Sequence, residues 1–219
     1  SGAGAAALAC LDLLIDMGLK RENVTITDSK GVVFEGREDL QGDSKGIYAR
    51  DTHHRSLAEA IEGADIFLGL SIANVLTPEM VASMAEKPLI LALANPDPEI
   101  LPPQVAQVRN DAIVATGRSD YPNQVNNAVC FPYIFRGALD VGATTINQEM
   151  KIACVKAIAK LAQAESSDIV SNAYNGEIHR FGTEFIIPKP FDPRLFVELA
   201  IVVAKAAMET GVATRPIKD

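Results

Sequence analysis

Residues 1–10 read SGAGAAALAC, a Gly-x-Gly-x-x-Ala run carried by Gly2, Gly4 and Ala7. Such a run turns the chain from a buried strand into a helix, and its backbone amides then face a pyrophosphate. Gly2 makes the tight turn, Gly4 lets the backbone approach the phosphates, and small Ala7 allows close helix–strand packing. The helix start adds a favourable interaction with negative charge of about 0.3–1 kcal/mol. Gly/Ala-rich helix starts are common, so the run takes its meaning from the elements next to it in the chain. "AAALACLDLLIDMG" (5–18) reads as a helix with Leu8, Leu11 and Ile15 on one face and Gly18 as its stop. "NVTIT" (23–27) then reads as a short strand ending at Asp28, where the acidic ligand of a ribose is expected.

The same alternation continues. "GVVFEGR" (31–37) is a short extended segment, followed by the polar loop "EDLQGDSKG" (38–46). "SLAEAIEGA" (56–64) is a helix leading into the buried strand "DIFLGL" (65–70), which runs to Ser71. "TPEMVASMAEK" (77–87) is a helix with Pro78 in its first turn, and "PLILAL" (88–93) is a strand stopped by the proline-rich "ANPDPEILPP" (94–103). "DAIVAT" (111–116) is the last strand. The final third is helical. "TINQEMKIACVKAIAKLAQA" (145–164) offers a Thr145-x-x-Gln148 capping box and a face of Ile152, Val155, Ala159 and Ala162. "FDPRLFVELAIVVAKAAMETG" (191–211) has Asp192 at the N-cap, Pro193 at the first helical position and Gly211 past its end. The fold class is α/β: a Rossmann-like, doubly wound parallel sheet with helices on both faces and additional C-terminal helices. With no repeats and no linker, residues 1–219 read as a single domain.

The bulk properties fit that class. The chain has 219 residues, 48% of them hydrophobic, which is enough for a substantial core. Its net charge of −8, with no block of basic residues, excludes a nucleic-acid or anionic-membrane surface. An anionic ligand therefore needs local donors. The widely spaced Cys10, Cys130 and Cys154 read as buried free thiols of a reducing compartment. There is no C-x-x-C, no charged signal-peptide start and no bilayer-length apolar run, so a cytoplasmic location is expected.

Candidate sites lie at the strand ends. Asp28 accepts hydrogen bonds from a ribose 2′-OH, which points to NAD, yet Ser29 and Lys30 come directly after it and are suited to a 2′-phosphate, which points to NADP. Asn95 stands immediately after a strand, at the carboxyl edge where open α/β sheets bind ligands, or else merely ends that strand in an Asn-Pro turn. Asn126 and Asn127 enter an apolar run from a polar stretch, which implies either a polar ligand or capping of the next helix. His53 and His54, beside Asp51, are adjacent in a charged loop and do not converge on a metal. His179, Arg118, Arg136 and Asp120 carry no assigned chemistry, and no nucleophile–base arrangement stands out.

The motifs "GAGAAA" (2–7), "DSKGV" (28–32), "ADIFLGLS" (64–71), "LALANPDPEI" (91–100), "ATGRSDYPNQVNNAVCFPYIFRGALDVGATTIN" (115–147) and "IPKPFDPRL" (187–195) resemble, in order, the cofactor-binding half of malic enzymes. The likeness is greatest to the bacterial type whose catalytic region can precede a phosphotransacetylase-like domain. The resemblance implies NAD(P)-dependent oxidative decarboxylation of (S)-malate to pyruvate and CO2, assisted by Mg2+ or Mn2+, with NADP slightly favoured over NAD. It places Gly2, Ala3, Gly4 and Ala5 on the cofactor pyrophosphate and Asn95 on its nicotinamide side. Asp28, Ser29, Lys30 and Ser71 belong to the same cofactor-binding set. Asn126 and Asn127, with Asn95, would orient malate's oxygens. The family's acid–base Tyr and Lys and its acidic metal ligands precede the glycine run and match nothing here, so no catalytic or metal residue is assigned. A homo-oligomer is expected.

In a doubly wound sheet the strand before the fingerprint is the central one. Residue 1 is accordingly expected to be a truncation point, and this segment alone is expected to fold poorly and to be inactive. Two other readings stand beside this one. One is another two-domain dehydrogenase, such as an amino-acid dehydrogenase, against which the Asn-Asn-x-x-x-Phe-Pro block (126–132) weighs. The other is a non-enzymatic dinucleotide-sensing module, which would bind cofactor without turnover.

Overall fold

The structure is a computed structural model and describes residues 1–164 and 180–217. Where the sequence reads as one domain, the chain packs as two compact units, Ser1–Pro122 and Asn123–Asp219.

The first unit contains α1 (Ala5–Asp16), the short strands β1 (Thr27–Asp28) and β2 (Gly31–Val32), α2 (Leu57–Ile61), β3 (Ile66–Gly69), α3 (Pro78–Ala82), β4 (Leu89–Ala92), α4 (Pro102–Ala106) and β5 (Ile113–Thr116). Strands β3, β4 and β5 form a parallel sheet in that order, with Phe67 opposite Ile90 and Ile90 opposite Val114. Consecutive parallel strands need a crossover, which α3 and α4 provide. Because side chains alternate along a strand, Phe67, Ile90 and Val114 share one face. Ile61, Val81 and Val105 from α2, α3 and α4 pack against that face. Helices α2 and α3 each start on a readable signal: the Ser56–Glu59 capping box for α2, and Thr77 with Pro78 for α3.

A second cluster joins Leu11 of α1 to Val24, Ile26, Val33 and Tyr48. Here the structure departs from the expected strand over 23–27. Only Thr27–Asp28 is regular, and it pairs antiparallel with β2. The carbonyls of this stretch are shared among unrelated partners: Val24 O accepts from Arg50, Ile26 O from Val33 N and Thr27 O from Gly2 N. Helix α1 ends as expected, with Met17 as its cap and Gly18 at φ +109.

The second unit is built on α5 (Phe131–Asp140), α6 (Gln148–Gln163) and α7 (Arg194–Glu209). Leu195, Leu199, Val203 and Ala207 recur at four-residue spacing on α7 and are completely buried. They pack with Val141, Met150, Cys154 and Leu161. Two details correct the sequence reading. Helix α6 begins at Gln148 with Asn147, not Thr145, as its cap, the Asn147 side chain accepting from Met150 N at 3.1 Å. It buries Met150, Cys154, Leu161 and Ala162, whereas Ile152 and Val155 are half-buried and Ala159 is exposed. This helix is apolar on more than one side, so periodicity alone does not choose the inner face. Helix α7 starts one residue later than expected, but Asp192 still caps it, accepting from Arg194 N at 2.9 Å. Among the cysteines, Cys10 is exposed rather than buried, and half-buried Cys130 lies 3.4 Å from the buried Cys154 sulfur.

Gly137 sits at a close approach of α5 to α7: a Cβ there would lie 2.5 Å from Ala200 O and 2.8 Å from Val203 Cβ. Gly137→Val is expected to destabilise the full-length protein by about 1–3 kcal/mol, the usual cost of overpacking. An unchanged denaturation midpoint would show that the two helices separate freely. Among the described residues, no helix is long and apolar enough to cross a membrane.

Candidate dinucleotide site

The glycine turn is locked between two other segments. Gly2 N donates to Thr27 O and Leu70 N donates to Ser1 O, each at 2.9 Å. Gly2 sits at φ +90, and a Cβ on it would stand 2.4 Å from Leu70 O and 2.8 Å from Leu70 C. Only glycine fits that position. Gly4 is different: its φ of −84 is ordinary and nothing lies within 4 Å of where its Cβ would be. It forms the N-cap of α1, and the amides of the first turn have no intrahelical acceptor. Amides so placed are of the kind that suit an anion; Ala3 is half-buried, Ala5 exposed and Ala7 in the core as the motif requires.

Beside the turn are the carboxyl ends of β3 and β4. Ser71 Oγ lies 3.0 Å from Ser1 Oγ. Asn95 is exposed two residues beyond Leu93, whose N–H donates to Gly69 O at 3.0 Å, and its peptide bond to Pro96 is cis. Both residues thus stand at the sheet edge where the sequence places them. Between these loops lies a residue that sequence reasoning missed: Glu99, fully buried, whose carboxyl group accepts from Ser71 N, Ser71 Oγ and Ala94 N.

Asp28 is the centre of an ionic cluster. Its Oδ1 accepts from Lys30 N at 2.9 Å and from Arg37 Nη1 at 3.0 Å. Its Oδ2 is held by Arg37 Nη2 and lies 3.1 Å from Lys45 Nζ. The Arg37 guanidinium draws the Asp28 carboxyl down to about 2, so it is ionised at any ordinary pH. Asp39, bonded to Arg37 Nε and 2.8 Å from Lys30 Nζ, is likewise held below the usual carboxylate range. A carboxylate offers about four acceptor positions, and Asp28 fills them with these donors. Arg37 and Lys45 were not legible as partners of Asp28, because their loop carries no periodic signal. Ser29 is exposed next to the cluster.

The remaining candidates divide cleanly. Asn126, in the second unit, caps a short turn over Asn127–Val129 by accepting from Ala128 N at 2.8 Å, while Asn127 is exposed. The buried amide of this polar block is Asn123, which donates to Thr183 O at 2.7 Å and accepts from Ile186 N at 2.9 Å. Arg118 pairs with Asp120 and Arg136 with Asp140, both at 2.8 Å. His53 and His54 are exposed, and among the described residues no cluster of His, Cys, Asp and Glu fits a metal ion. His179 lies outside the described residues.

The family described as "Malic enzyme, NAD binding domain" matches residues 1–172. The NADP-dependent malic enzyme of Escherichia coli (strain K12) is 63% identical over the whole chain, which spans 29% of that protein. The NAD-dependent malic enzyme of Rhizobium meliloti (strain 1021) is 60% identical, with 28% of its length covered. Among solved structures, Entamoeba histolytica malic enzyme superposes with a TM-score of 0.83 at 36% identity, over 98% of this chain and 43% of that one. The malic enzyme of Pyrococcus horikoshii gives 0.81, also at 36% identity, over 99% and 49%. With its glycine turn, its parallel sheet and a family match over most of its length, this chain belongs to the NAD-binding domain family of the malic enzymes.

Proposed function

We propose that this chain supplies the dinucleotide-binding part, and some of the malate site, of an enzyme that converts (S)-malate and NAD(P)+ to pyruvate, CO2 and NAD(P)H. The observation that supports it best is the glycine turn: Gly2 pressed against Leu70 backbone, and Gly4 opening onto free space at the start of α1. When bound, the dinucleotide would supply the hydride acceptor that oxidation of malate at C2 requires. The amides of Ala3 to Ala5 hold its pyrophosphate, the Gly2 amide being committed to Thr27 O. Ser71 and Asn95, at the carboxyl ends of adjacent strands, take the nicotinamide end. Asn126 and Asn127 orient malate's oxygens without adding charge.

NADP is the preferred nucleotide in this reading. Asp28 is saturated by donors and has no acceptor position left for a ribose hydroxyl. Lys30, Arg37 and Lys45, shared among Asp28, Asp39 and Asp43, are cations that a 2′-phosphate would reach by displacing those carboxylates. Such a cluster suits a 2′-phosphate. The divalent metal, Mg2+ or Mn2+, is part of the reading through the family. The described residues offer it no ligand cluster. A cytoplasmic homo-oligomer, with a phosphotransacetylase-like domain elsewhere in the full chain, completes the proposal.

The test is a steady-state assay of the full-length protein with malate and Mn2+, run with each nucleotide. Pyruvate is expected to form faster with NADP than with NAD. No pyruvate with either nucleotide overturns the reaction; a preference for NAD overturns only the choice of nucleotide.

A further inference from the structure

Glu99 is completely buried although it belongs to the proline-rich segment after β4. Buried charged side chains are rare unless satisfied, and this one is satisfied by groups from two loops. Its Oε1 accepts from Ser71 N at 2.9 Å and from Ser71 Oγ at 3.1 Å; its Oε2 accepts from Ala94 N at 3.0 Å. Its main chain repeats the tie: Leu76 N donates to Glu99 O and Asn74 N to Pro98 O, each at 3.1 Å. Space for the carboxyl group comes from Gly69, where a Cβ would lie 2.4 Å from Glu99 Cδ.

The position of these contacts is informative. The ladder between β3 and β4 runs to the Gly69–Ala92 pair, with a last bond from Leu93 N to Gly69 O. Beyond it Glu99 spans the interval, holding Ser71 on one side and Ala94, next to Asn95, on the other. Ser71 in turn meets Ser1, and Leu70 meets Gly2. An apolar side chain of similar size would fill the space but leave two backbone amides unpartnered.

We propose that Glu99 is a positioning residue of the dinucleotide site, setting Ser71 and Asn95 side by side through hydrogen bonds to both strand ends. The inference rests on the proposed dinucleotide site. Its test uses the full-length protein, with direct titration of NADPH and NADH by nucleotide fluorescence alongside melting temperature and the KM for malate. Glu99→Gln, which turns an NH2 group toward one of its donors, is expected to weaken nucleotide binding at least about tenfold. The KM for malate is expected to stay within about twofold, because the change lies at the nucleotide contacts. Gly69→Ala, which keeps Glu99 but pushes its carboxyl group out of the space it occupies, is expected to give the same split. It carries the test if Glu99→Gln does not fold. Lowered melting temperatures with unchanged nucleotide affinity in both variants would overturn the proposal and make Glu99 purely structural. Wild-type protein that binds neither nucleotide would instead overturn the dinucleotide reading on which the proposal rests.

Discussion

Gly2→Val in the full-length protein is expected to weaken NADPH binding by about two orders of magnitude or more, the equivalent of losing roughly 2.7 kcal/mol of binding free energy. Two independent costs act at this residue. A valine at φ +90 is strained by about 1–3 kcal/mol. Its Cβ also meets Leu70 O and C, which are backbone atoms and cannot rotate away. The turn must move, and with it the amides that face the phosphates. Gly4→Ala separates structure from ligand. Its Cβ would enter open space at an ordinary φ, so stability should change by no more than about 1 kcal/mol, the scale of a helix cap. Affinity for NADPH should nevertheless fall, because the proposed site admits the pyrophosphate through that space. Isothermal titration with each variant checks both. Wild-type affinity in the two variants would remove the glycine turn from the site.

The contrast between these glycines shows what the sequence could and could not reveal. Gly2, Gly4 and Ala7 were legible because the motif is local and each residue has a distinct steric reason. The strands β3, β4 and β5 were legible as short apolar runs bounded by turns, and Gly18 as a helix stop, for the same reason. The partners of Asp28 were not. Arg37 and Lys45 lie in a polar loop, and only three-dimensional closure brings them to the carboxylate. Glu99 was hidden more deeply. A glutamate in a proline-rich stretch reads as solvated, and its burial becomes intelligible only when Gly69, far earlier in chain order, is seen facing it. The division into Ser1–Pro122 and Asn123–Asp219 likewise has no compositional mark, since the polar block around it reads as one continuous turn. On α6 the inner face was misassigned because Met150 and Cys154 compete with Ile152 and Val155 on nearly equal terms.

The asparagine pair provides the other large effect. In the structure the two amides are not equivalent: Asn126 Oδ1 is committed to Ala128 N and holds a turn, whereas the Asn127 side chain is exposed. A side chain committed to a cap has less freedom to orient a substrate than one that is not. Asn127→Ala is therefore expected to lower kcat/KM for malate by about 10²–10³-fold, the scale of losing one well-placed donor to a developing charge. Affinity for NADPH should stay within about twofold, since the residue is assigned to malate and not to the nucleotide. Asn126→Ala should behave otherwise. Loss of its cap loosens the turn that carries Asn127, so melting temperature and turnover should fall together, with a stability cost of about 0.5–2 kcal/mol. Steady-state kinetics paired with nucleotide titration distinguish the two. Equal losses in turnover and nucleotide affinity for Asn127→Ala would make that amide structural. The malate site would then have to be sought in residues other than this pair.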